Sequence, residues 1–494
     1  MDMSCQPDHK TGSMERMCFI VTILLLFSCN KNELSGEEKA DPDGEVIRTL
    51  SDVNVKADAL KAEILNSDSK TGVAAGTIYY ISNGGNDLNN GKSSKTAWAT
   101  LLKVSHADLK SGDMVLFERG GTWRGSLTTK EGITYSAYGK GDKPKIIGSP
   151  QNYSIRNKWK ATGTSNVYVY DQVFSNDAGV LVFNQGESYT YKKVVGIDGF
   201  SGDIGQLTND LEMYHSISDK KIYLHSYKGN PADRFSSIEF CLKENIIKIG
   251  GDNVTIDNIC VKYGGVHGIG SSSRNGLKVT NCEFGWIGGS IQRETTRYGN
   301  AVEIYGACKD YIVDHCYIYQ IYDAGITHQY KNYTSSETVI MENVTYSNNL
   351  IEYCSYSIEY FLDQPLSEKD VMKNISFKNN ICRFAGYGFG WQRPNKVARH
   401  IQGGWLGGKR KYPAENFSIE GNIFDRSIDI LLSISALKEE HLPKMKNNVY
   451  IQSSNKNFGM VGVEYKQYYP FNQGIGELIK QKRIDESPII IFAD

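Results

Sequence analysis

The sequence predicts an all-β fold, a right-handed parallel β-helix wound as a single-stranded solenoid behind a short N-terminal cap. Three observations predict it. A nine-residue pattern stands six times in the later part of the chain, first at 253–261 and last at 416–424. The copies start 23 to 42 residues apart, so a constant strand core is joined by loops of variable length. The 494 residues hold 49 Gly and 31 Tyr but only 11 Pro, the bias that many tight turns and half-buried aromatic strand positions produce.

The pattern reads polar, apolar, polar, apolar, polar, Asn, two variable positions, apolar. It occupies 253–261, 276–284, 310–318, 343–351, 374–382 and 416–424, with a partial copy at 447–450. Strict alternation gives a short strand with one inward face. The sixth position holds Asn258, Asn281, His315, Asn348, Asn379, Gly421 and Asn447. Asn tolerates left-handed backbone, and its amide can bond an identical neighbour one rung away, so this column is expected to be a structural ladder. Right-handed winding follows from the chirality of parallel crossovers. Stacked turns share one core, so the length does not demand several domains.

A second strand follows in each turn, on the apolar anchors Ile269, Val302, Ile326, Ile358 and Phe389. The next residue should face outward: Gly270, Glu303, Thr327, Glu359 and Gly390. So should the residue two further on: Ser272, Tyr305, Gln329, Phe361 and Gln392. A one-residue slip would invert this register.

The opening rungs are Ile78–Gly91, Thr96–Thr100, Gly112–Phe117 and Gly132–Gly139. These segments resemble the N-terminal portion of bacterial pectate-lyase-like β-helix proteins, and the resemblance runs on through Asp323–Thr327 and Gly390–Asn395. It covers most of 78–450. It implies the fold, and it leaves the activity among lyases, glycosidases, esterases and epimerases.

With 40% hydrophobic and 22% charged residues the chain is globular, and a net charge of −1 argues against nucleic acid as a partner. The expected organisation is a lipoprotein signal peptide at 1–29, a polar tether at 30–75 with a short helix from Val55 to Leu65, and a β-helix catalytic domain at 76–494. The apolar run from Met17 to Phe27 is too short to span a membrane, which takes about 20 residues. It ends Leu-Phe-Ser-Cys29, which resembles a bacterial lipobox with Cys29 lipidated. That resemblance implies an exported monomer held by lipid at the outer membrane or surface of a Gram-negative bacterium. Of ten cysteines, seven follow Cys29, several of them at or near equivalent positions of the repeat, and none forms a C-x-x-C pair, so they read as core residues and not zinc ligands.

The stretch 286–405 mixes cations, carboxylates and flat rings, among them Arg293, Tyr330, Arg399, Trp286 and Trp405, as binding an acidic sugar chain requires. The favoured reaction is β-elimination from a uronic acid polymer, with glycosaminoglycans such as chondroitin or dermatan sulfate ahead of pectate. Elimination needs the uronate neutralised, a base for the α-proton and an acid for the leaving oxygen. Arg393 is the candidate neutraliser, or a Ca²⁺ ion on Glu303, Asp323 and Glu359. His328 and His400 are candidate bases and Tyr360 the proton donor. Arg297, Gln329, Gln392, Lys396 and Trp391 are candidate substrate contacts. Two alternatives stay open. An inverting glycoside hydrolase would use Glu303 and Glu359, two rungs and so about 10 Å apart, or Asp323. A non-catalytic glycan-binding lipoprotein would need only the aromatic and Arg residues.

Overall fold

A computed structural model describes residues 47–68, 74–331, 337–363, 369–404, 414–436, 438–463 and 468–494. The signal segment, Cys29 and Trp405 lie outside these.

Three columns of stacked residues define the solenoid. The first runs Tyr135, Ile256, Val279, Val313, Tyr346, Phe377, Ile419, Met445, each in parallel register with the next. The second runs Ile146, Val261, Phe284, Ile318, Ile351, Cys382, Phe424, Tyr450. The third runs Leu127, Ile247, Ile269, Val302, Ile326, Ile358, Ile401, Leu432. These side chains are buried together in one continuous core. A single turn cannot bury its apolar face alone, so stability comes from stacking.

Two bends separate the faces, and each is a column of left-handed residues. The first is the sixth position of the repeat, from Asn258 to Asn447, with φ between 48° and 67°. The second is Tyr263, Trp286, Gln320, Tyr353, Phe384 and Arg426, with φ between 48° and 62°. The first column was legible because Asn favours this conformation. The second carries no such residue preference, so the sequence does not betray it.

The buried amide ladder corrects the sequence expectation by one residue. It consists of Asn349, Asn380, Asn422 and Asn448, each fully buried. Asn349 Nδ2 donates to Asn380 Oδ1 at 2.9 Å, Asn380 to Asn422 at 2.9 Å, Asn422 to Asn448 at 3.0 Å, and Asn448 to Asp485 at 2.7 Å. A second, exposed ladder joins Asp310, Asn343, Asn374 and Asn416 at the first position of the repeat. The sixth position supplies the bend, and its amides bond to other partners: Asn281 Nδ2 donates to Asp257 at 2.8 Å and Asn348 Nδ2 to Asp314 at 2.9 Å. The seven cysteines of the described residues are free thiols, all buried.

The helix Leu50–Asn66 begins with a capping box between Thr49 and Asp52 and is longer than the expected Val55–Leu65. Val53, Ala57 and Ile64 pack on Tyr317, Leu350, Ile381, Ile423 and Val449, the outward apolar stripe of the second face. Arg383, paired with Glu352 and Asp425, also reaches Asn54 of the helix. This part of the 30–75 segment is therefore docked chain and not a loose tether.

Between Lys145–Ile147 and Ile247–Lys248 the bend expands into two small sheets, one wholly and one largely antiparallel. Ala178–Phe183 pairs with Ser188–Tyr189 and Ile238–Leu242, and Val167–Tyr170 lies between Ile222–His225 and Trp159–Ala161 in a five-stranded sheet. Their own aromatic core includes Tyr153 stacked on Phe240 at 3.8 Å. This insertion was not distinguished in the sequence, where its strands alternate like any others. It leans on later rungs: Gln392 Nε2 donates to Thr190 O at 2.7 Å, and Arg297 Nη2 to Gly179 O at 2.9 Å.

Candidate active site

On the third face the pairing runs Gly270, Glu303, Thr327, Glu359, Gln402, Ser433. The outward register expected from the sequence holds for the first four. It fails at the fifth, because Phe389–Gln392 forms a short 3₁₀ turn off the ladder and the next rung is Arg399–Gly403. The loop between Gly386 and Ala398 hid that rung. Side chains that alternate with this row point inward: Ile304, His328 and Tyr360.

That alternation removes the expected elimination residues from the surface. His328 is wholly buried, its Nδ1 is 2.8 Å from the Tyr346 hydroxyl, and its ring lies parallel to Tyr360 at 5.9 Å. Tyr360 packs against Phe417, and Gly403 leaves the space its ring fills. His400 is equally buried, with Nδ1 3.0 Å from Ser357 Oγ and its ring over Phe424. Burial pushes His328 down to about 3 and His400 to about 4, so both are neutral core imidazoles. A base lowered in the folded state gives stability that is present above its unfolded value and lost as pH falls through the folded one. We therefore expect the melting temperature to fall as pH drops from about 6.5 towards 3. His328→Phe should make that acid slope shallower. An unchanged slope would show that His328 titrates as freely folded as unfolded.

What remains outward is a row of carboxylates. Glu303 Oε2 accepts from the Asn300 amide and, at 3.1 Å, from Gln329 Nε2. His267 Nδ1 lies 3.4 Å from the same oxygen and accepts the Asn300 backbone N–H at 3.1 Å. Asn300 Oδ1 in turn accepts from the Ala324 backbone N–H at 2.8 Å, so the support is tied to the next rung. Glu303 Oε1 takes no hydrogen bond among the described residues, which leaves it open to a small molecule. Asp323, one residue before Ala324, pairs with Arg393.

Glu359 stands two rungs from Glu303 and is only 7% exposed. Its carboxyl makes no hydrogen bond among the described residues. Burial holds it well above the usual carboxylate range; Asp323 and Glu303 push the same way, while Arg393 and Lys331 oppose. Burial and the neighbouring acidic side chains thus favour the protonated form of Glu359.

Arg393 also lies over the rings of Tyr322 and Tyr356, at 5.7 and 5.2 Å. Tyr356, which the sequence reading passed over, is pushed up to about 12 by burial, with Arg393 lowering and Asp323 and Glu359 raising it, so its hydroxyl sits amid the row. The regular spacing of Tyr356 before Ile358 was the available signal. Of the other expected contacts, Gln329 holds Glu303, and Arg297 and Gln392 join the insertion to the solenoid. Lys396 donates to Trp391 O at 2.7 Å and lies over its ring, so these two serve each other on an exposed loop. Among the described residues no group of three His, Cys, Asp or Glu side chains is placed to hold a metal ion. Of the three residues considered for Ca²⁺ from the sequence, Asp323 is paired with Arg393 and Glu303 accepts from Asn300 and Gln329.

No family model and no curated protein matches this chain. Among solved structures it is similar to one described as a glycoside hydrolase, at 12% identity over 77% of this chain and 86% of that one, with a TM-score of 0.47. It is similar to the pectate lyase Pel9A at 12% identity, over 82% and 76%, with a TM-score of 0.45. It is similar to an alginate lyase from Paenibacillus sp. at 12% identity, over 75% and 97%, with a TM-score of 0.35. The three registered columns make the chain a right-handed parallel β-helix.

Proposed function

We propose that the protein is a glycoside hydrolase that cleaves an acidic polysaccharide with inversion, with Glu359 as general acid and Glu303 as general base. The observation that carries this is the placement of a buried carboxyl, Glu359, whose surroundings favour its protonated form, two rungs from a carboxyl anchored by Asn300 and Gln329. Inverting hydrolysis needs two such groups on opposite sides of the bond, about 6.5–9.5 Å apart. Adjacent rungs are about 4.8 Å apart, which places the two backbones about 10 Å apart before the side chains lean together. Glu359 gives its proton to the glycosidic oxygen as that bond breaks. Glu303 Oε1 takes a proton from the water that attacks the anomeric carbon from the other face. The products are a free alcohol and an inverted hemiacetal, and solvent returns the two protons to their starting places. Arg393 and Asp323 position the site and set the charge around Glu359.

The elimination reading loses the residues that carried it, since His328, His400 and Tyr360 face the core. The deciding assay incubates the protein with pectate, alginate, chondroitin sulfate and dermatan sulfate. Saturated reducing ends with inverted configuration support hydrolysis. Absorbance of a conjugated unsaturated uronate at the new end would reinstate the lyase. Retention on a glycan without cleavage would favour a binding protein.

Lipid attachment at Cys29, and surface anchoring through it, is a further part of this reading. No helix of the described residues is long and apolar enough to cross a membrane. Cys29→Ala is expected to move the protein from the membrane fraction to the soluble fraction. Retention of the variant on membranes would refute the anchor.

A further inference from the structure

Beside the carboxylate row, cations and rings alternate. Arg297 lies over Tyr322 at 4.4 Å, Arg393 lies over both Tyr322 and Tyr356, and Arg399 lies over Tyr356 at 6.0 Å. The first two guanidinium groups are spent. Arg297 donates to the carbonyls of Gly289 and Gly179, at 2.6 and 2.9 Å, and Arg393 pairs with Asp323. Arg399 is different. Its side chain is 3% exposed, and its one ionic contact among the described residues is Nη2 to Asp429 Oδ2 at 3.5 Å. Its Nε and Nη1 are buried with no hydrogen-bond partner among the described residues. Each of its two donor forks therefore keeps a free N–H. Buried donors are almost always paired, and an orphan costs roughly 1–3 kcal/mol, so two on one cation call for an acceptor that arrives from outside the chain.

We propose that Arg399, with the Tyr356 hydroxyl, binds the carboxylate of a uronic acid residue in the polymer. The location rests on the hydrolase reading, because Tyr356 shares its strand with Glu359 and pairs in register with Arg399. A carboxylate is the occupant that matches: two coplanar oxygens fit a guanidinium fork, and a neutral hydroxyl would leave the charge unmet. Tyr356 has no hydrogen-bond partner for its hydroxyl among the described residues and supplies a third donor. Asp429 is the resident competitor. Its side chain is 31% exposed and engages Arg399 only weakly, so an incoming carboxylate can take its place.

The test is equilibrium binding of trisaccharides of galacturonate, glucuronate and mannuronate, each against its neutral methyl ester, by calorimetry. Binding needs no turnover, so it is read on wild type and on Glu359→Gln alike, and failure of hydrolysis leaves the result interpretable. At least one uronate should bind tenfold or more tighter than its ester. Arg399→Gln should abolish that preference while leaving the ester's affinity unchanged. Asp429→Asn, which keeps the shape and removes the competing charge, should tighten uronate binding several-fold and serves if Arg399→Gln does not fold. Absence of any uronate preference in wild type overturns the proposal. So does a preference that survives Arg399→Gln, or weaker uronate binding in Asp429→Asn. Binding of sulfated but not carboxylated sugars overturns it as well.

Discussion

Glu359→Gln is expected to lower turnover about 10²–10⁴-fold, the contribution of a positioned proton donor. The substitution keeps the volume and removes the proton that the leaving oxygen needs. Its pH behaviour separates chemistry from damage. A carboxyl raised in the folded state is active while protonated, so wild-type activity should fall as pH rises through that raised value, and the variant's residual activity should show no such limb. Stability moves the same way. A raised carboxyl gives stability that is fully present below its unfolded value near 4 and is lost as pH rises through the folded one. The Gln variant should therefore match wild type in acid and melt higher than wild type in alkali. Glu303→Gln should lose turnover by a similar factor and keep the alkaline limb of whatever activity remains. Full turnover in either variant would reject the two-carboxylate reading. A Glu359→Gln protein that melts lower at every pH would show that the carboxyl is structural.

The fold was legible because a solenoid writes its period into the sequence. Each strand must alternate and each bend must tolerate positive φ, so Asn258, Asn281, Asn348 and Asn379 appear at one phase of the pattern. The outward row from Gly270 to Glu359 followed from the same count. The register broke where a loop interrupts the period: Phe389 is apolar and correctly spaced, but the rung is Ile401, after the loop that presents Arg393. The choice of catalytic side chains failed for a related reason. In a strand, neighbours face opposite ways, so Glu359 and Tyr360, or Thr327 and His328, cannot both reach the same substrate. Histidine content marked the region as polar, yet two of its imidazoles fill core space beside Tyr346 and Phe424. The supports of Glu303 come from Asn300, Gln329 and His267 on three different rungs, and only three-dimensional stacking brings them together.

The largest stability effect is expected from the buried amide ladder, at Asn380. Asn380 Oδ1 accepts from Asn349 N and Nδ2, at 3.2 and 2.9 Å, and its Nδ2 donates to Tyr346 O and Asn422 Oδ1, both at 2.9 Å. Asn380→Ala strands two donors of Asn349 and takes a donor from two oxygens, all inside the core. At roughly 1–3 kcal/mol for each buried group left unmet, and with part of the loss recovered by relaxation, the variant should be destabilised by about 4 kcal/mol. The neighbouring Asn379 offers the control. It is exposed, with φ of 54°, and its role is the bend. Asn379→Ala should cost about 1 kcal/mol, because Ala lacks the short polar side chain that lets Asn tolerate left-handed backbone, and Asn379→Gly should be close to neutral. Denaturant midpoints of the three variants read this directly. A solenoid can unfold in stages, so the comparison uses the transition that spans the central rungs. Equal losses at 379 and 380 would mean that the amide bonds between rungs contribute no more than the bend does. A larger loss at 379 would return the ladder to the sixth position of the repeat, where the sequence pattern first placed it.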